Sequence, residues 1–251
     1  MMAATAEAFP AGWYGKIPGI GDFVARRVPA DFTDAWHPWL QSVITGSRER
    51  LGVEWRESYL SMPVWRFVLS PAMLTQAAWA GVVAPSVDAV GRYFPFAIAA
   101  ELPSKSLDLV RTLLAAQPWL DEMEAFALQA LAPRVDPMAL DAAIAAQPFR
   151  AEWLRLPEAR DETAPMRGAQ PQLVFLPLPA GHPGAEAEAI GIAGRLAEPC
   201  GAWLAEESEL FGRCLLLCET LPPAAQYCAM MDGRWAHHGW SPRHLATGAP
   251  A

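Results

Sequence analysis

The sequence predicts an α/β fold: one mixed, mainly antiparallel sheet with helices on both faces, a three-layer α-β-α sandwich. Three observations lead there. Apolar runs at 64–69, 77–84 and 93–100 follow one another with turn residues but no helical spacer, as neighbouring buried strands do. Helical periodicity occurs before, between and after the strand-like segments, so helices are available for both sides of a sheet. The 251 residues are 53% hydrophobic and include 11 Trp, enough for a substantial core.

The elements follow in order. Residues 1–11 contain no Lys or Arg and no sustained apolar run; they predict a flexible N-terminus rather than a signal peptide. From Gly12 to Arg27, aromatic and β-branched residues flank Pro18-Gly19-Ile20-Gly21. That pattern predicts two short strands around a tight turn, with the glycines in left-handed conformations. Pro29 introduces a helix with Asp31 as cap or first-turn acid. Its apolar stripe is Phe32, Trp36, Trp39, Leu40, Val43, Ile44 and Leu51, and Pro38 should kink it. A short second helix holds Trp55 and Tyr59. After the three apolar runs, Pro118, Pro133, Pro137 and Pro148 divide residues 104–147 into three or four short helices.

Residues 150–170 read as a charged connection. A strand is expected at 172–178, a helix at 185–197, and strands at 202–206 and 213–219. A last helix, 222–231, starts with prolines and stops at Gly233. The tail from Ser241 is expected to be disordered. The organisation is one domain over 12–240: a motif-rich half at 12–103, a helical segment at 104–149 and a second half at 170–240.

Composition narrows the function. The chain has 27 acids against 19 bases, a formal charge of −8. Nearly all the excess follows Glu101, and no basic stripe occurs, so nucleic acid and anionic membrane surfaces are poor partners. No run reaches the roughly 18 apolar residues of a membrane span. Cys200, Cys214, Cys218 and Cys228 lie in apolar context and read as reduced, buried thiols of a cytoplasmic protein. Only Lys16 and Lys105 are lysines, against 17 arginines, which singles out Lys16 as a position where Arg would not serve.

Catalytic motifs fail in turn. Gly15-Lys16 is followed by Ile17, and position 10 is Pro, so no phosphate-binding P-loop forms. Gly19 and Gly21 are followed by Val24 where a dinucleotide fingerprint needs Gly. Ser86 lacks the glycines of a nucleophile elbow. Asp88 and Arg92 have the spacing of a local ion pair around a turn. No Cys-x-x-Cys occurs, and His237, His238 and His244 with Cys228 lack the spacing of a zinc site. No metal, cofactor or catalytic residue is therefore assigned. The acidic groups Asp121-Glu122-Glu124, Asp161-Glu162 and Glu206-Glu207 read as solvated faces. The tryptophans read as core, with a few partly exposed ones suited to a protein interface.

The motifs together resemble a known family. Gly12-Trp13-Tyr14-Gly15-Lys16-Ile17-Pro18, Gly21-Asp22-Phe23, Trp39-Leu40-Gln41, Pro63-Val64-Trp65-Arg66-Phe67, Pro85-Ser86-Val87-Asp88 and Gly91-Arg92-Tyr93-Phe94-Pro95-Phe96 are similar to the TagF/ImpM family of type VI secretion-associated proteins. Leu221-Pro222-Pro223 and Met231-Asp232-Gly233-Arg234-Trp235 are similar to its closing segment. Ala202-Trp203-Leu204-Ala205 departs from the Trp-Trp-Thr run of many members.

The resemblance implies the three-layer sandwich, no enzymatic activity, and a cytoplasmic role as post-translational repressor. It also implies binding to a forkhead-associated scaffold protein of the bacterial apparatus. The phosphatase domain fused to some members has no counterpart here, so phosphatase activity is not expected. Lys16, Asp22, Arg26, Asp88 and Arg92 are the candidates for a shared polar, partner-binding site, because the motif blocks cluster charges beside turns. The alternative is a structural or assembly component of the apparatus.

Overall fold

The computed structural model describes residues 7–103, 106–157, 173–178, 184–195 and 200–242. Strands β1 (Ala8–Phe9), β2 (Ala11–Gly15) and β3 (Val24–Arg26) precede helices α1 (Ala30–Leu51) and α2 (Trp55–Ser61). Strands β4 (Trp65–Leu69), β5 (Ala78–Ala84) and β6 (Phe96–Leu102) follow. Next come α3 (Leu109–Ala115), α4 (Gln117–Ala130), α5 (Pro137–Ala145) and β7 (Phe149–Arg150). The remaining elements are β8 (Leu173–Pro177), α6 (Ala185–Ala193), β9 (Gly201–Ala205), β10 (Cys214–Cys218), α7 (Ala224–Asp232) and β11 (Ser241–Pro242).

One nine-stranded sheet has the order β11-β8-β10-β9-β4-β5-β6-β2-β3, and β1 pairs separately with β7. Every pair in the large sheet is antiparallel except β11 with β8, so the sheet is mixed and mainly antiparallel. Strand period sets which side each residue faces. Along β4, Trp65, Phe67 and Leu69 join an aromatic-rich cluster with Phe32, Trp36 and Leu40 of α1 and Tyr227 of α7. Val68 joins a second cluster with Leu113 of α3, Leu120 of α4 and Ile144 of α5. Both faces are therefore dry at the centre, and the two clusters draw on different helices.

Local chemistry sets the helix boundaries. Asp108 caps α3 by accepting the Arg111 N–H, and Asp136 caps α5 through the Met138 N–H. Gly233, at φ 71, ends α7 in the left-handed region that glycine reaches without steric penalty. Helix α1 continues through Pro38 as one element of 22 residues, with its apolar stripe buried from Phe32 to Leu51.

Several sequence expectations need correction. Ala8–Phe9 and Ser241–Pro242, assigned to a flexible start and a disordered tail, each pair in a strand. In the 18–21 turn the positive-φ glycines expected at Gly19 and Gly21 are absent; the positive-φ residues nearby are Gly15, at φ 140, and Arg27, at φ 55. Seven of the tryptophans are among the most deeply buried side chains, and only Trp39 and Trp153 are partly exposed. Tryptophan thus supplies the core, as expected, and two rings are partly exposed. Lys105, Asp161, Glu162, His244 and most of the 150–170 connection lie outside the described residues.

Trp203 of β9 is fully buried, with its ring 5.3 Å from Phe67, 5.8 Å from Trp39 and 6.3 Å from Trp36 between centroids. Truncation there empties the middle of the aromatic cluster. Trp203→Ala is expected to destabilise the protein by about 3–5 kcal/mol, read as a lowered urea midpoint; a midpoint within error of the parent would mean this layer does not hold the fold.

Candidate functional site

Two loops meet at one end of β2 and β6. The first, 16–23, connects β2 to β3; the second, 85–95, connects β5 to β6. Gly15 makes the approach possible: its φ is 140, and a Cβ there would stand 2.3 Å from the Pro95 carbonyl oxygen. Ser86 then ties the loops, its hydroxyl donating to the Lys16 carbonyl at 2.7 Å. Beneath it the Tyr59 hydroxyl donates to the Ser86 carbonyl and accepts the Ser86 N–H, each at 3.0 Å.

Lys16 follows directly on β2, so its side chain is directed into this junction. Its Nζ donates to Asp88 Oδ2 at 2.6 Å, and the side chains are 4% and 0% exposed. Asp88 also accepts the N–H groups of Val90 at 3.0 Å and Arg92 at 2.8 Å on Oδ1, and Arg92 Nε at 2.7 Å on Oδ2. Arg92 Nη2 reaches back to the Gly21 carbonyl on the first loop. Burial alone would raise the Asp88 pKa, but the bonds from Lys16, Arg92 and Val90 outweigh it and hold the carboxyl well below the ordinary range. One carboxylate thus serves as turn cap, counter-ion and cross-loop bridge.

Aromatic rings complete the site. Lys16 Nζ stands 4.7 Å from the centroid of Phe23, a cation–π contact opposite its salt bridge. Phe23 stacks on Tyr14 at 5.9 Å and meets His37 and Phe94 edge-on at 4.9 and 4.8 Å. Tyr14 Oη and His37 Nδ1 are 2.6 Å apart.

Of the five candidate residues, Lys16, Asp88 and Arg92 come together. Asp22 sits exposed on the same loop as Gly21, its carboxylate accepting the Phe23 N–H at 2.8 Å. Arg26 is elsewhere: it faces Trp13 in the register of β2 and β3, bonds the Ala25 carbonyl, and lies 6.0 Å from the Trp13 ring. Sequence reasoning missed Phe23 and Val90, which are 38% and 69% exposed beside the ionic cluster. Their only sequence signal is an apolar residue within two positions of a charge inside a turn.

It also missed Arg66. This guanidinium is 5% exposed, on the α3–α4 side of the sheet, and pairs with Asp121 at 2.8 Å, Glu124 at 2.7 Å and Glu206 at 3.4 Å. The solvated reading of those three acids is incomplete: Asp121 and Glu206 keep exposed side chains, yet all three also answer a buried arginine, which needs counter-charges. A lone Arg inside an apolar strand was the available signal.

The remaining candidates for chemistry lie in the core or close to it. Burial pushes the Cys214 and Cys218 thiols far above their ordinary value, and that of Cys228 up to about 11. His238 bonds Asp232 at 2.8 Å, while His237 is exposed. Among the described residues no group of His, Cys, Asp and Glu is arranged to hold a metal ion, and no helix is long and apolar enough to cross a membrane.

An α/β protein whose two facing loops display charge over a buried ion pair belongs to a definable class, and comparison specifies it as type VI secretion-associated. Residues 12–147, the stretch that contains both loops, match the model described as TagF N-terminal domain, type VI secretion system-associated, and the chain belongs to that family. The crystal structure of PA0076 from Pseudomonas aeruginosa PAO1 is similar, with 28% identity and a TM-score of 0.72 over 96% of this chain and 100% of that one. No curated protein matches the chain.

Asp88→Asn leaves Lys16 buried without a counter-charge and is expected to destabilise the protein by about 3–5 kcal/mol at pH 7. Because the native Asp88 pKa is depressed, its contribution is fully present above the unfolded value of about 3.9 and is lost as pH falls towards the lower native value. Urea unfolding from pH 7 to 2.5 should show an acid-dependent loss that is smaller in the variant. Equal losses in both proteins would remove Asp88 from the account.

Proposed function

We propose that the chain is a non-enzymatic accessory protein of the type VI secretion system that acts by binding another protein. Its partner in this reading is a forkhead-associated scaffold of the apparatus, and the outcome is post-translational repression of secretion in the cytoplasm. Family membership supports the pathway. One observation supports the place. The buried Lys16–Asp88 pair fixes two loops that present Arg92, 56% exposed in its side chain, beside exposed Phe23 and Val90.

Arginine and aromatic side chains are favoured where proteins meet. Rigid presentation lowers the ordering entropy that association must overcome. Lys16 and Asp88 act here as positioning residues, Arg92 as a contact, and Asp22 as part of the rim. Arg26 stands apart on the edge strand. Helices drawn to both apolar faces support a three-layer α-β-α sandwich, and one sheet running from β2 to β11 supports a single domain over 12–240.

Tagged protein used as bait in native lysate tests the reading. The parent should recover the forkhead-associated scaffold. Val90→Asp and Arg92→Ala should each lower recovery about tenfold, with the Val90 variant melting like the parent. Normal recovery with both variants, and earlier melting only for Arg92→Ala, would make the cluster architectural. Sheath or baseplate proteins in place of the scaffold would favour the assembly role.

A further inference from the structure

A second polar site shares no residue with the paired loops. The last turn of α1, the short 3-10 turn after it, α7 and the turn following α7 enclose a cleft of about 660 Å3. That volume lies within the roughly 300–1,000 Å3 of small-ligand pockets. Arg50, Glu54, Ala225, Arg234, His237 and His238 line it. With Leu51 these make seven lining residues, and four of them carry nitrogen donors on their side chains, in a chain whose net charge is negative.

The arrangement is uneven in a way that points to a ligand. Asp232 is fully engaged: it accepts the Arg234 N–H at 2.9 Å, Arg234 Nε at 2.7 Å, and lies 2.8 Å from His238 Nε2. Its side chain and that of His238 are both 7% exposed, so this brace fixes where Arg234 stands. The outer edge of Arg234 meets Glu54 through Nη2 at 3.0 Å, in a pair with 47% and 63% of the side chains exposed. Water screens such a pair, and it is readily exchanged.

Arg50, in the last turn of α1, pairs with no carboxylate among the described residues. Arg50 and Arg234 also act on one spot. Burial and Asp232 raise the Cys228 thiol, while both guanidinium groups pull it down. His237 is exposed beside them, its ring 4.8 Å from that of His238.

We propose that this cleft binds a phosphate group, free or as a monoester, with Arg50, Arg234 and His237 as donors. Planar guanidinium forks match the oxygens of a phosphate in pairs, which is the strongest arrangement available to them. A dianion entering between Arg50 and Arg234 takes the place of Glu54, which swings into solvent. Ala225 brings the first turn of α7 to the same wall, where no side chain caps the helix. The donors come from α1 and from residues 234–237 after α7, so the site exists only where those two segments are packed together.

Titration of the full chain with inorganic phosphate at constant ionic strength, followed by 31P line broadening and calorimetry, tests the proposal. Saturable binding is expected, with Arg50→Glu weakening it about tenfold or more and lowering the ligand-free melting temperature only slightly, through the lost favourable charge at the end of α1. Glu54→Gln should tighten binding a few-fold, since it removes the competing carboxylate. Stronger binding of O-phosphoserine than of inorganic phosphate would identify a phosphorylated side chain as the source, and equal binding a free anion. The proposal fails if parent and Arg50→Glu titrate alike, or if chloride at the same ionic strength reproduces the response. That failure would leave the paired-loop reading untouched.

Discussion

Side chains at the centre of the sheet are shut away from water on whichever face they lie. A charge carried into that region must therefore bring its counter-charge with it, since an unpaired buried ion is among the most destabilising features a fold can hold. The two apolar clusters, one rich in aromatic rings beneath α1 and α7, the other built under α3, α4, α5 and α6, impose this condition on β4, β5, β6 and β9. Most positions meet it by being apolar. Arg66 meets it by pairing, and so does Lys16, buried just past the end of β2, but they do so differently.

Arg66 is answered by several acids at a partly solvated helix edge. Asp121 is 63% exposed and Glu206 39%, so water shares the work and the loss of one acid leaves others. Lys16 has a single carboxylate with no exposed surface. That carboxylate also caps the turn holding Val90 and Arg92. Any change at Asp88 is therefore felt by the ion pair, the turn and the contact between the loops together, which makes this a coupled unit and not a set of separable contacts.

This coupling links structure to function. A surface that must be recognised repeatedly gains from side chains that are already in place, because ordering them on contact would weaken association. The phenyl ring of Phe23, held between Lys16 and the Tyr14, His37 and Phe94 rings, and the turn carrying Val90 and Arg92 are both fixed from beneath. The cleft at Arg50 and Arg234 is built on the same principle, with the largely covered side chains of Asp232 and His238 bracing a more exposed arginine.

The order of the main elements, the buried central strands and the family were legible in the sequence, because each is written in local period, turn chemistry or motif; the short strands β1, β7 and β11 and the caps Asp108 and Asp136 were not. Pairing Asp88 with Arg92 was legible for the same reason, being four residues apart. Which distant charges meet was settled by packing alone. Lys16 reaches Asp88 across 72 residues, and Arg66 reaches Glu124 across 58. Arg26, grouped with the site by its nearness in sequence to Asp22, faces Trp13 on the edge strand instead. Strand order and helix packing set these meetings, and neither is encoded in the spacing of residues along the chain, since a strand's period says which face a side chain takes but not what is packed against it.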